Sequence, residues 1–303
     1  MVLGLVFATT GSTYSKAGDC MLIDGDGHYH GMLSGGCLEG DLAIRAAAVI
    51  ESGRADAVVY DLAGDDELWG LGVGCEGRID VILLPLSANN DYEPFRTMLD
   101  VYEGSEAARL DVAVSGSARG AVTIRSESGI ELLAAGPVPG GSDDVLTLNL
   151  TPLPRILILG AGPDVVPVLR FIVELGWHVV IADHRPAYIE NPLLEAADAR
   201  HCLPGSELAG HLELDDFDAA LVMSHHLASD RNYLKALADS RVGYIGLLGP
   251  VARRDRLLRE LQDASERLGP RLQGPAGIDL GGRGAAPIAL SLVAGLQRFL
   301  ARG

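Results

Sequence analysis

Hydrophobic and polar residues change rhythm halfway along the chain. In the first half, apolar runs are short and separated by turn residues. Residues 2–8 form one apolar run of strand length. Residues 20–23 and 28–33 flank Asp24-Gly25-Asp26-Gly27, which is hairpin turn chemistry. Residues 38–51 carry alanines at helical spacing, and Gly53 supplies a stop. Strands are expected at 58–61 and 79–84, and a helix at 92–102. Further strands are expected at 110–114, 121–125, 131–135 and 145–150, divided by Gly, Ser and Asp. The least patterned stretch is 137–144, and Thr151-Pro152-Leu153-Pro154 marks a boundary. The chain is therefore divided into domains 1–152 and 153–303.

The second half alternates strand and helix. Residues 155–159 are almost wholly apolar, as strands of parallel sheets are. A helix follows at 165–175, closed by Gly176, then a strand at 178–182 ending on Asp183. Strands at 219–223 and 242–248 alternate with helices at 230–240, 251–268 and 287–301. This pattern predicts an α/β protein: a C-terminal Rossmann-like parallel sheet domain, preceded by a β-rich α+β domain.

Charge narrows the partners. There are 24 Lys and Arg against 41 Asp and Glu, a formal net charge of −17. No basic stripe exists for nucleic acid, since the richest window (Arg253, Arg254, Arg256, Arg259) lies among acids on one helix. No apolar run approaches the ~20 residues of a membrane span. The start of the chain lacks a basic leader, and the four cysteines show no C-x-x-C spacing. A cytoplasmic location is expected.

Gly160-Ala161-Gly162 follows a strand and opens a helix, the first part of a dinucleotide fingerprint. Asp183 stands where an acid would meet a ribose hydroxyl. Val165 replaces the third glycine, Pro163 removes an N–H, and Asp164 puts a negative charge where pyrophosphate would sit. Asp164 either competes with such a ligand or caps the helix. NAD(P), and with it an oxidoreductase reading, is the weaker alternative. The strand ends also gather His184, Arg185, Ser224, His225 and His226. On an extended backbone the two adjacent histidines point apart, so one faces the site and joint metal ligation is not expected. Gly246-Leu247-Leu248-Gly249-Pro250 opens the helix bearing Arg253 and Arg254. It is either a monophosphate site or an ordinary turn with surface arginines.

Two cysteines sit in glycine loops. Ser34-Gly35-Gly36-Cys37 precedes a helix, whose N-terminus favours thiolate. Gly72-Val73-Gly74-Cys75 precedes a strand. Thiolates at such positions suit a soft metal or sulfur transfer; the alternative is two small buried hydrophobes. Ser12 to Lys16 offers hydroxyls and a cation that either wrap an anion or form a polar turn.

These segments together resemble the XdhC/CoxI family, the accessory proteins of molybdenum hydroxylases such as xanthine dehydrogenase. The matching stretches are GSTYSKAG from Gly11, GGCLEGDL from Gly35 and WGLGVGCEGRI from Trp69. In the second half they are LILGAGPDVVPVLRFIVELGWHVVIADHRP from Leu157, VMSHHLASDRNYLKAL from Val222, YIGLLGPVARRDRLL from Tyr244 and GPAGIDLGGRGAAPIALSL from Gly274. Residues 89–150 carry little of it. The resemblance implies a maturation chaperone without turnover of its own and without catalytic residues. It would bind molybdenum cofactor (molybdopterin), help install its sulfido ligand, and pass it to the apo-hydroxylase. A cysteine desulfurase as sulfur donor and a homodimer are also implied. Carried over by position, Cys37 and Cys75 would lie at the metal end, with Gly35, Gly36, Ser12 and Lys16 around them. Gly160, Gly162, Asp183, His225, Gly246, Gly249 and Arg253 would shape the second pocket. The loop Tyr14-Ser15-Lys16 departs from the proline and arginine usual in the family.

Overall fold

A computed structural model describes residues 1–61, 77–129, 131–135 and 144–301. It separates into two compact units, Met1–Pro152 and Leu153–Gly303.

The first unit contains strands β1 (Val2–Gly11), β2 (Cys20–Ile23) and β3 (Tyr29–His30), helix α1 (Glu39–Ser52), and strands β4 (Asp56–Asp61) and β5 (Gly77–Pro85). Helix α2 (Phe95–Glu103) and strands β6 (Ala108–Ala113), β7 (Val122–Ser126), β8 (Glu131–Ala135) and β9 (Val145–Leu150) follow. Two antiparallel sheets result, ordered β3-β2-β1-β5-β4 and β8-β7-β6-β9. The apolar run at the start explains the layering. Alternate side chains of β1 point to opposite faces. Val2 and Val6 join Leu42, Ala46 and Val49 of α1 in one core. Leu3 and Leu5 join Leu110, Val112 and Ile124 of the second sheet in another. Each fully buried Leu or Ile contributes about 1.5–3 kcal/mol, so β1 anchors both layers.

Two elements are shorter than their patterns predict. The strand expected over 28–33 ends at His30, because Gly31 turns left-handed (φ 89°) and its absent Cβ would lie 2.8 Å from the Cys20 carbonyl oxygen. The helix expected from 92 starts at Phe95, because Asp91 and Tyr92 hold positive φ of 54° and 59°.

The second unit runs β10 (Arg155–Leu159), α3 (Val165–Glu174), β11 (His178–Asp183), α4 (Pro186–Ile189), β12 (Ala199–Cys202), α5 (Leu208–His211) and β13 (Ala219–Val222). It continues with α6 (Leu227–Ala238), β14 (Tyr244–Leu247), α7 (Val251–Leu261), α8 (Asp263–Leu268), β15 (Leu272–Gln273) and α9 (Ala285–Leu300). The six strands are all parallel, ordered β12-β11-β10-β13-β14-β15. Counted within the unit this is 3-2-1-4-5-6, the doubly wound Rossmann order. Ile156 and Ile158 pack against α3 and α9, while Leu157 and Leu159 pack against α6, α7 and α8. The single helix expected over 251–268 is instead broken at Gln262, which takes φ 48° and ψ −122°. Among the described residues, no helix is long and apolar enough to cross a membrane.

Candidate functional site

In the first unit, the loop before α1 is built around a carboxylate. Glu39 is fully buried. Its Oε1 accepts from the Leu33 and Ser34 backbone N–H groups, each at 2.8 Å. Its Oε2 accepts from the Ser34 hydroxyl at 2.6 Å and from the Leu38 N–H at 3.2 Å. Burial pushes this carboxyl up, but the Ser34 hydroxyl and the Ser34 and Leu33 N–H groups outweigh it and hold it below its usual range. The buried Ser15 hydroxyl donates to the Leu33 carbonyl at 2.7 Å, tying the 11–16 loop to the same segment. On this frame sit Gly35 and Gly36, exposed and left-handed at φ 75° and 107°. An added Cβ on Gly36 would meet nothing within 4 Å, so the backbone there faces open space. Cys37 follows as a free, half-buried thiol resting against the core under α1.

Ser12 and Lys16 are exposed. The Lys16 ammonium reaches the Thr13 hydroxyl at 3.4 Å. Gly77 pairs with Gly11, and an added Cβ there would lie 2.5 Å from the Ser12 carbonyl oxygen. The structure thus brings the 11–16 loop beside both Gly35 and the start of β5. Cys75 lies outside the described residues.

In the C-terminal unit the strand order reverses between β10 and β13, the point at which sheets of this kind place a ligand. Gly160 takes φ 123°, and an added Cβ would lie 2.6 Å from the Met223 carbonyl carbon and the Ser224 nitrogen. Only glycine lets these two strand ends close. Asp183 does not reach outward. It is fully buried, and it accepts from the Ala161 N–H (2.8 Å), the Arg185 N–H (2.9 Å) and the Arg185 guanidinium (2.9 and 2.6 Å). Burial raises this carboxyl, but these donors, Arg185 first, bring it below its usual value. Its whole hydrogen-bonding capacity goes to shaping the turn.

Asp164 stands at the N-cap of α3 without a side-chain cap bond. Its Oδ2 instead meets His225 Nε2 at 2.6 Å. His225 adopts φ 58°, so the extended-backbone expectation for this histidine pair does not apply. His226 caps α6, its Nδ1 accepting from the Ser229 N–H at 3.3 Å. Ser224 donates to the buried Asp230, which also takes Arg253 through Nε (3.1 Å) and Nη2 (2.5 Å). Gly249 takes φ 131°, with an added Cβ only 2.7 Å from Arg253 Cδ. Arg254 bonds Asp255 and the Gly274 carbonyl. Both arginines of the expected monophosphate site are thus spent on protein acceptors. Gly246 lies inside β14, where an added Cβ would lie 2.7 Å from Leu221 Cδ2. Its identity answers to packing rather than to a turn.

Sequence reasoning missed Glu39 as the lock of the cysteine loop. The signal was present: Glu39 falls on the stripe of Leu42, Ala46 and Val49, where a charge must be buried. It also missed the Asp164–His225 and Asp230–Arg253 pairs, whose partners are distant in sequence.

These features define a class: a Rossmann-type α/β protein with an antiparallel N-terminal unit that presents a thiol on a glycine loop. Residues 156–296 match the XdhC Rossmann domain, and residues 1–61 match the XdhC and CoxI family. The chain is 31% identical over 310 residues, covering 97% of its length and 91% of the relative, to a probable subunit of xanthine dehydrogenase from Bacillus subtilis. It is 22% identical over 296 residues, covering 97% of itself and 81% of the relative, to the molybdenum cofactor insertion chaperone PaoD of Escherichia coli. A crystal structure of a xanthine dehydrogenase from Bacillus halodurans superposes with a TM-score of 0.86 at 30% identity, covering 99% of this chain and 91% of the other. The chain belongs to the XdhC and CoxI family.

Proposed function

We propose that this chain is an accessory protein for a xanthine dehydrogenase-type molybdenum hydroxylase, carrying molybdenum cofactor as cargo and handing it to the apo-enzyme. The observation that carries the reading is Cys37. It offers a thiol beside two exposed left-handed glycines, on a loop rigidified by the buried Glu39. A soft metal bearing sulfur ligands suits a thiolate, and bare glycine backbone lets a bulky ligand come close. The name of PaoD, a cofactor insertion chaperone, supports the same reading. Cys75 serves as the second thiol, with Ser12 and Lys16 flanking the cargo. The finer parts of the proposal are sulfuration of the cofactor while it is held, a cysteine desulfurase as donor, and action as a cytoplasmic homodimer. The division of labour follows units 1–152 and 153–303.

The NAD(P)-dependent alternative draws support from the Rossmann strand order alone. Asp164 at the head of α3 and the internally bound Asp183 weigh against it.

The test is anaerobic purification from a molybdenum-replete host, followed by molybdenum and oxidised-pterin assays of wild type, Cys37→Ala and Cys75→Ala. The proposal expects both in wild type, near equimolar with the chain, and loss of molybdenum from Cys37→Ala. Wild type free of pterin but carrying NAD(P) would overturn it in favour of the oxidoreductase.

A further inference from the structure

The turn that opens α3 keeps the first two glycines of a dinucleotide fingerprint, yet the space beside them is filled by the chain itself. In such turns the second glycine is bare so that a pyrophosphate can approach the backbone. Gly162 holds that place. A Cβ built on Gly162 would lie 2.8 Å from Asp164 Oδ1 and 3.9 Å from His225 Cδ2. Both side chains therefore crowd the glycine where a phosphate would need it bare.

The carboxylate is held there by something other than helix capping. Asp164 is the N-cap residue of α3, but its side chain takes no N–H of that helix. Its Oδ2 meets Nε2 of His225, 61 residues away in sequence, at 2.6 Å. His225 follows β13 with a left-handed φ of 58°, which turns its ring back toward the glycine turn. The other oxygen, Oδ1, is buried over Gly162 with no hydrogen-bond donor among the described residues. A negative charge thus stands at the positive end of the α3 dipole, the position that draws a phosphate. The neighbouring donors are engaged as well. Ala161 N–H donates to Asp183, and Arg185 and Arg253 each give two nitrogens to a buried carboxylate.

We propose that Asp164, held by His225, is an autoinhibitory contact: a built-in occupant of the phosphate position that closes this turn to nucleotides. A diphosphate brought to Gly162 has to displace Oδ1 and then faces a carboxylate of its own sign. The doubly wound strand order is kept while its usual ligand is refused. The refusal resides in one side chain, so removing that side chain uncovers the glycine and frees the helix end for an anion. An uncharged nucleoside, which places nothing at the helix end, is indifferent to it. None of this depends on Cys37 holding the cargo.

The experiment titrates the full chain with ADP, NAD⁺ and adenosine by calorimetry, in wild type and in variants whose folding is checked by thermal melting. Wild type should show no saturable binding of ADP or NAD⁺ up to about 1 mM. Asp164→Gly, a residue well tolerated at an N-cap, should bind ADP at least about tenfold tighter than wild type, with one-to-one stoichiometry. Asp164→Asn keeps the bulk and removes the charge, so its gain should be smaller, about threefold. Adenosine should gain nothing in either variant, because the contact acts on the phosphate alone. Wild type binding ADP or NAD⁺ as tightly as Asp164→Gly would overturn the proposal. So would well-folded Asp164→Gly and Asp164→Asn that gain no ADP binding, or a gain for adenosine equal to that for ADP.

Discussion

At the scale of single residues, buried carboxylates do the organising. Glu39 satisfies four donors in the loop that carries Cys37. Its carboxyl lies below its usual value in the folded chain, so the unfolded chain binds that proton more readily. Stability from this group is therefore complete above the ordinary carboxylate range and is lost as pH falls through the lower folded value. Glu39→Gln keeps the size but sets an NH₂ group against N–H and O–H donors. It should cost about 1–3 kcal/mol near neutral pH. Thermal unfolding of both proteins across the acid range checks this: the gap should close as pH falls, and a gap independent of pH would contradict the assignment. Of the residues singled out by sequence, Gly35, Gly36 and Gly160 keep backbone conformations that explain their identity. Asp183 was legible as an acid at a strand end. Its occupation by Arg185, two residues on, was not, because no local pattern says whether a carboxylate turns inward or outward.

At the scale of elements, the strands of the Rossmann unit were legible wherever burial made them uniformly apolar. β10, β11, β13 and β14 are of this kind. β12 was not, since Ala-Arg-His-Cys at the sheet edge is half exposed and carries no apolar run. β15 has two residues and no period at all. In the first unit the strands were legible but their division into two sheets was not, because pairing is set by contacts between residues far apart in sequence. The break between α7 and α8 is the clearest failure of periodicity. Leu257, Leu261, Ala264 and Leu268 keep helical spacing and are all buried, yet Gln262 between them turns to φ 48°. A non-glycine residue pays for that conformation, so Gln262→Gly should leave stability unchanged or raise it by about 0.5–1 kcal/mol. A melting-temperature comparison checks this, and a clear loss would mean that the Gln262 side chain holds the break.

At the scale of the whole molecule, the chain joins two units with separate cores: one with a thiol on a glycine loop, the other a Rossmann sheet whose first helix begins at its own carboxylate, Asp164. Membership of the XdhC and CoxI family is the context in which the proposed carrier role is to be tested. A carrier must release what it holds, so the most direct measurement is transfer. Chain purified with its molybdenum and pterin would be mixed anaerobically with apo-xanthine dehydrogenase, and xanthine oxidation followed over time. The account predicts that activity appears in proportion to the molybdenum leaving the chain, and that Cys37→Ala prepared alike gives none. Activation that proceeds equally well with free cofactor and without the chain, or loaded chain that keeps its molybdenum beside the apo-enzyme, would contradict it.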